Sequence, residues 1–389
     1  MRILTLTQNA VPSVKGEYEY NMCRQIQDSG IEIHSLTIFG DNSHYCDYAR
    51  VVKRPLGFLP KRVGEIFSPG IINEIKKSFD IIHLHGPFWS FIPLQVIIWK
   101  KILKIKTPLI FTTHAYIPEK QMRFWKAVKK AVIKRDPSLI FYGLRCLPYT
   151  KVDRILCQSE MERKFVINEF QIDPGKVVMI PNGVDMKRYE IPTYDFKKRH
   201  SLKRKFLVLY VGQLIKMKGI TFLLKAIKIL KNRGLDCDLA LVSYNPHEDV
   251  ISEAESLGIK DNVKIFALLP EEGLISAYKS CDLFVLPSLS EGMPTVLIEA
   301  MAAKKLVIST NVSGVPHLLK DGFNGLMVKP RDSIALAGKM EKILRDEKLR
   351  EKISINGFQT VKERYSWPVV AKLIIQQYKR FKPILENSK

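Results

Sequence analysis

Short runs rich in β-branched and aliphatic residues alternate along this chain with longer segments whose apolar positions recur at helical spacing. In the first half the strand-like runs are RILTLT, EIHSLTIF, DIIHLH, PLIFTTH, RILCQS and VVMIP. In the second half they are FLVLYVG, DLALVSY, NVKIFAL, DLFVLPS and LVIST. Uninterrupted apolar strands separated by helices predict parallel sheets covered on both faces, an α/β fold. Between Tyr189 and Phe206 the pattern lapses into the polar EIPTYDFKKRHSLKRK, which predicts a linker. The expected division is a first domain over 1–190, a linker over 191–205, a second domain over 206–365 and a C-terminal helical segment over 366–389. In that last segment Val369, Val370, Leu373, Ile374, Tyr378 and Phe381 share one helix face, which reads as packing surface.

A length of 389 residues suits two domains, and 46% hydrophobic with 26% charged residues is ordinary for a globular protein. MRILTLT reads directly as a strand and not as a leader. The longest apolar run, Phe88–Trp99, falls short of the roughly 20 residues of a membrane span and contains a proline. Cys23, Cys46, Cys146, Cys157, Cys237 and Cys281 form no CxxC pair, so neither a disulfide framework nor a zinc cage is expected. A cytoplasmic protein is the expectation.

Charge changes the picture more. Lysine and arginine number 62 against 39 acids, a net +23, which favours polyanionic partners. From Lys100 to Arg135 eleven basic residues and one acid, Glu119, interleave with Trp99, Phe124 and Trp125. That stretch reads either as a solvated face or as an interfacial surface for anionic lipid. The second cluster, Lys197–Lys205, reads as solvated surface. Nucleic acid is not the expected partner, because no recognition-helix, zinc or RNP pattern accompanies the charge. There is also no GxGxxG after the first strand and no Walker-type loop.

The stretch PSLSEGMPTVLIEAMA places Glu291 in a Gly/Pro loop after a strand and Glu299 inside the helix that follows. Pro294 suits the first turn of that helix, whose free N–H groups attract phosphate. Two carboxylates beside an anion site can read hydroxyls on either side of it. On spacing alone the plainer reading is a helix-start acid and a surface glutamate.

SEGMPTVLIEAMA resembles the E-x7-E motif of the retaining GT-B glycosyltransferases of glycosyltransferase family 4, and the resemblance extends over nearly the whole chain in order. NAVPSVKGEYEY is similar to the family's N-terminal glycine-rich loop, DIIHLHGP to its H-x-H strand and LIFTTHAY to the strand delivering an active-site histidine. VDRILCQSE and IPNGVDMKRY resemble segments closing the first domain. VGQLIKMKG resembles the diphosphate-binding turn of the second, followed by SGVPHLLKDGFNGLMV and a final Ser-Trp helix.

The resemblance implies two Rossmann-like doubly wound domains facing across a cleft, acceptor side first and donor side second, with the C-terminal helix crossing back to the first domain. It implies a hexosyltransferase that retains anomeric configuration, taking a nucleotide-diphosphate sugar and a glycan or lipid-linked acceptor. No metal or other cofactor is expected. Glu291 would contact the transferred sugar, Glu299 the ribose, and Lys218 the diphosphate, with His114 on the acceptor side. Gly16 and Lys15 belong to the phosphate loop. Gln213, Lys216, Gly292, Met293, Pro294 and Thr295 complete the donor side, and His85 and Tyr116 face the acceptor.

The family's Gly-Gly pair reads Lys15-Gly16 here, and its glutamate two positions on is Tyr18, with Glu19 displaced by one. The family arginine is Gln213, with Lys216 near enough to replace it, and a Gly-x-Gly turn reads Ser243-Tyr244-Asn245. Two other readings follow: a catalytically weak GT-B subunit that binds a sugar nucleotide and regulates a partner, or a GT-B epimerase or phosphorylase. His83 and His85 alternate on one strand face without a third ligand, so structural roles are expected for them. Asp236-Cys237-Asp238 mimics a metal-binding D-x-D but precedes its strand, which suits a loop boundary.

Overall fold

β1 (Arg2–Thr7), β2 (Glu32–Thr37), β3 (Ile81–Gly86), β4 (Leu109–Thr113), β5 (Arg154–Cys157) and β6 (Val177–Met179) form one parallel sheet in the order β2-β1-β3-β4-β5-β6. The computed structural model describes residues 1–7, 18–37, 70–86, 92–113, 147–243, 248–267 and 269–381. A second parallel sheet contains β7 (Phe206–Val211), β8 (Cys237–Val242), β9 (Val263–Phe266), β10 (Leu283–Leu286), β11 (Val307–Thr310) and β12 (Leu326–Val328). Its order is β12-β11-β10-β7-β8-β9. Numbered within the unit from its far edge, that is 3-2-1-4-5-6, the dinucleotide-fold order.

The chain divides into two units, residues 1–183 with 367–389, and residues 184–366. In the first, the two-residue pleat sends alternate side chains to opposite faces. Ile3, Ile81 and Ile110 pack on one face with Met22, Ile26, Val370, Ile374 and Tyr378. Leu4, Ile82 and Phe111 pack on the other with Val96, Tyr149 and Phe165. Burial of both faces explains why these strands read as continuous apolar runs.

The final helix, Trp367–Lys379, belongs to this unit and starts at the tryptophan of YSW. Trp367 packs edge-on against Tyr18, 5.0 Å between ring centroids. Gly183 leaves room for it, because a β-carbon there would stand 2.5 Å from the indole. The tryptophan is therefore a packing residue.

In the second unit one core surrounds the sheet, with Val208, Leu209, Leu223, Ile227, Phe284, Leu297 and Met301 at its centre. The segment 191–205, read from sequence as a linker, packs within this unit. Asp195 caps a helical turn over Phe196–Arg199 by accepting from the Lys198 N–H at 3.0 Å. Phe196 is fully buried beside Phe266, 5.1 Å between centroids. One buried aromatic anchor leaves no periodicity to detect in a polar stretch.

Candidate functional site

β7 and β10 pair directly, with Leu283 opposite Val208 and Phe284 opposite Leu209. The strand order reverses between them, which is the position beyond whose carboxyl strand ends open α/β sheets bind ligands. Those loops are 212–219 and 287–294.

Backbone contacts hold both loops in place. The Leu289 N–H donates to the Met217 carbonyl at 2.8 Å, and the Gly314 N–H donates to the Glu291 carbonyl at 3.2 Å. The approach is close enough to require glycine on each side. Gly219 has φ +67°, and a β-carbon there would lie 2.2 Å from the Pro287 carbonyl oxygen. At Gly314 it would lie 1.6 Å from the Gly292 carbonyl oxygen.

That clamp brings Lys218 to Glu291. The ammonium donates to Glu291 Oε1 at 2.7 Å, and the buried Ser288 hydroxyl donates to the same oxygen at 2.5 Å. Thr310 fixes Ser288 in turn by donating to its carbonyl. Oε2 of Glu291, by contrast, has no hydrogen-bond partner among the described residues. The glutamate is buried, 6% exposed.

The helix Thr295–Ala302 follows directly. Pro294 occupies its N-cap position, and no side-chain hydrogen bond caps the start. Unpaired N–H groups and the helix dipole therefore favour an anion at that end. Glu299 lies more than a turn further in. The Tyr278 hydroxyl donates to its Oε2 at 2.8 Å, and Oε1 has no hydrogen-bond partner among the described residues.

Glu299 keeps part of its surface open but is otherwise packed round. Burial raises its carboxyl above the ordinary value, offset in part by the Tyr278 hydroxyl and the charge of Arg188. Arg188 itself donates to Glu271 at 2.6 Å. Each motif glutamate thus has one oxygen held by the protein and one without a hydrogen-bond partner among the described residues.

The remaining donor-side residues lie on these two loops. The Gln213 carbonyl accepts from the Tyr210 hydroxyl at 2.7 Å, and Lys216 is exposed at the start of the turn Lys216–Lys218. Gly292 and Met293 are half-buried, Pro294 is buried, and Thr295 is exposed. Lys15, Gly16, His114 and Tyr116 lie outside the described residues, as do Tyr244 and Asn245.

His85 is buried at the end of β3, its ring centroid 4.0 Å from that of His83. His83 shares hydrogen bonds with the Tyr378 hydroxyl at 2.6 Å and the Thr112 hydroxyl at 2.7 Å. Among the described residues no cluster of three or more His, Cys, Asp or Glu side chains is arranged to hold a metal.

Asp236 and Asp238 are fastened by Arg204, at 2.8 and 2.9 Å, and the Arg204 N–H adds a bond to Asp238 at 3.0 Å. The pair is a structural clasp at the loop-to-strand boundary, and one arginine of the second basic cluster serves it.

Sequence reasoning missed Ser288 and Tyr278, the two donors that orient the glutamates. It also missed Glu162, buried at the carboxyl end of β4. That carboxylate accepts from the Thr113 hydroxyl and, at 2.6 Å, from the Gln158 N–H, while Ser159 caps its helix by accepting from the Glu162 N–H. The S-x-x-E capping pattern of SEME was a legible signal.

Comparison with known proteins bears on both units. The family profile described as Glycosyltransferase Family 4 matches residues 16–188. The one described as Glycosyl transferases group 1 matches residues 193–360. The capsular polysaccharide biosynthesis glycosyltransferase CapM of Staphylococcus aureus is 24% identical over 97% of this chain and 96% of its own. The UDP-Gal:alpha-D-GlcNAc-diphosphoundecaprenol alpha-1,3-galactosyltransferase of Escherichia coli is 27% identical over 74% of this chain and 73% of its own. In fold, the crystal structure of a glycosyltransferase from Rickettsia africae superposes with a TM-score of 0.77 at 19% identity, covering 98% of each chain.

Proposed function

This chain belongs to the group 1 glycosyltransferases, glycosyltransferase family 4, and from that premise we propose that it moves a hexose from a nucleotide-diphosphate sugar to an acceptor hydroxyl with retention of anomeric configuration. The observation that carries this reading is the Lys218–Glu291 pair at the switch point of the second sheet, 2.7 Å apart, beside an uncapped helix start.

The donor diphosphate is assigned to the start of the helix Thr295–Ala302. Lys218 directs its remaining N–H groups to the leaving diphosphate, where charge develops as the glycosidic bond breaks. Glu291 Oε2 accepts from hydroxyls of the transferred sugar, and Glu299 Oε1 from those of the ribose. The acceptor oxygen attacks the anomeric carbon on the face the diphosphate leaves, and its proton passes to a diphosphate oxygen. No protein nucleophile is required, and none of these steps is assigned to a metal. Lys15 and Gly16 are assigned to the phosphates, and His114, His85 and Tyr116 to the acceptor side.

The relatives named above support an acceptor of the cell envelope, a growing glycan or a lipid-linked sugar. Among the described residues no helix is long and apolar enough to cross a membrane. The proposed contact with anionic lipid runs through Lys100–Arg135, of which residues 114–135 lie outside the described ones. Loss of vesicle binding on changing Lys126, Lys129, Lys130 and Lys134 to serine tests it.

The activity test is transfer from UDP-, GDP- and ADP-hexoses to polyprenyl-diphosphate sugars, with and without EDTA, the product anomer read by NMR. Retention in the presence of EDTA is expected. An inverted product or loss of activity in EDTA would overturn the mechanism. Nucleotide binding without transfer would point to the regulatory subunit, and turnover only with inorganic phosphate to a phosphorylase.

A further inference from the structure

Ribose recognition by a glutamate depends on where its carboxylate is held and how the carboxylate plane is turned, and a lone glutamate side chain fixes neither. In this chain the helix Glu271–Ser280 settles both. Tyr278 is buried in the core, 1% exposed, with its ring 5.6 Å from that of Phe284 and 6.4 Å from that of Tyr189. Its hydroxyl emerges at the one point where it donates to Glu299 Oε2, at 2.8 Å. A buried phenol that has found a single carboxylate oxygen is held by packing on its ring and has no other orientation open to it.

We propose that Tyr278 is a positioning residue for donor binding. By occupying Oε2 it presents Glu299 Oε1, the oxygen without a described partner, to the ribose hydroxyls of the nucleotide. This rests on the reading of Glu299 as the ribose contact.

The surroundings make the device necessary. Arg188 lies near enough to act on Glu299 by charge, yet its guanidinium donates to Glu271 at 2.6 Å, so it supplies field and not orientation. Tyr189 is buried beside Tyr278 and, like it, is held well above the ordinary tyrosine range by burial, so both stay neutral donors. Tyr278 donation also stabilises the carboxylate form of Glu299, the better acceptor.

The experiment compares binding of UDP, GDP and ADP with that of their 2′-deoxy and 3′-deoxy counterparts to the wild type, Glu299→Ala and Tyr278→Phe. The wild type is expected to prefer a ribonucleotide by about tenfold or more, the size of one charge-assisted hydrogen bond. Glu299→Ala is expected to abolish that preference, and Tyr278→Phe to reduce it to about threefold or less while the ring packing is kept. In turnover, Tyr278→Phe should raise the donor KM and leave kcat within about twofold, the signature of lost uniform binding. Tyr278→Met removes the same hydroxyl and serves if the phenylalanine variant does not fold.

Full ribose preference in Tyr278→Phe, with the preference lost in Glu299→Ala, would overturn the positioning role alone. Retention of the preference in Glu299→Ala would overturn the ribose reading and the inference with it. Failure of the wild type to bind any nucleoside diphosphate would overturn the donor site itself.

Discussion

Lys218 Nζ lies 2.7 Å from Glu291 Oε1 across 73 residues of sequence, so the cation assigned to the diphosphate and the acid assigned to the sugar are one hydrogen-bonded unit. Each fixes the other. Lys218 arrives on the turn after β7 and Glu291 on the loop after β10, and only the adjacency of those strands joins them.

Breaking the unit from either end is therefore expected to do similar damage. Lys218→Ala and Glu291→Gln should each lower kcat about 10²- to 10³-fold, as loss of one preorganised electrostatic contact does. The double variant is expected to fall well short of the product of the two losses. Single-turnover rates with a saturating donor measure this. Strict multiplicativity would show that the two groups act separately.

Glu299 gives a pH signature in the protein without ligand. Its carboxyl is raised above its ordinary 4.5 by burial, against the opposing pull of Tyr278 and Arg188. Such a group binds its proton more tightly when folded. Its contribution therefore favours folding at low pH and is lost as the pH climbs from the ordinary value through the raised one. Glu299→Gln keeps the shape and removes the titration. Its melting temperature relative to the wild type is expected to rise as the pH climbs above the ordinary 4.5 and to level off once the raised carboxyl has ionised. A difference that stays flat across that range would count against the raised carboxyl.

Gly314 tests the clamp. A methyl group there would meet the Gly292 carbonyl at 1.6 Å, a distance no side-chain rotation relieves. Gly314→Ala is expected to cost about 1–3 kcal/mol and to weaken nucleotide binding, because displacing the loop disturbs the register of Glu291 with Lys218. Urea unfolding and calorimetry of nucleotide binding give the two numbers. A stable variant with normal binding would show that the loop has slack.

Arg204 separates fastening from polyanion binding in the second basic cluster. Its partner Asp238 has a side chain only 4% exposed. Arg204→Met leaves that carboxylate buried without its cation, at an expected cost of about 3 kcal/mol. Lys203→Ala and Lys205→Ala should stay within about 0.5 kcal/mol, as exposed surface changes do. Chemical denaturation of the three variants decides it.

Much of this architecture was legible in the sequence because sheets buried on both faces demand unbroken apolar strands, which stand out against amphipathic helices. Leu326–Val328 escapes that signal, being three residues long inside GFNGLMV. The clasped segment around Phe196 escapes it because single anchors have no period. Glu291 and Glu299 could be picked out by the resemblance of SEGMPTVLIEAMA to the E-x7-E motif, because on spacing alone they read as a helix-start acid and a surface glutamate. Their orienting partners could not. Tyr278 is 21 residues from Glu299 and reads as one more core aromatic, and Ser288 reads as a loop serine until Thr310 and Glu291 are seen on either side of it.

The loop carrying Glu291 is tied on one flank by the Leu289 N–H to the Met217 carbonyl and on the other by the Gly314 N–H to the Glu291 carbonyl. Both ties run from main chain to main chain, so they are indifferent to most of the side chains the loop displays. Exposed positions such as Lys216 and Thr295 can thus exchange one residue type for another without disturbing the register of Lys218 and Glu291. A scaffold of this kind lets the displayed side chains diverge while Lys218 and Glu291 stay in register. Chains that differ in the side chains these loops display can then keep one backbone path beneath the proposed donor site.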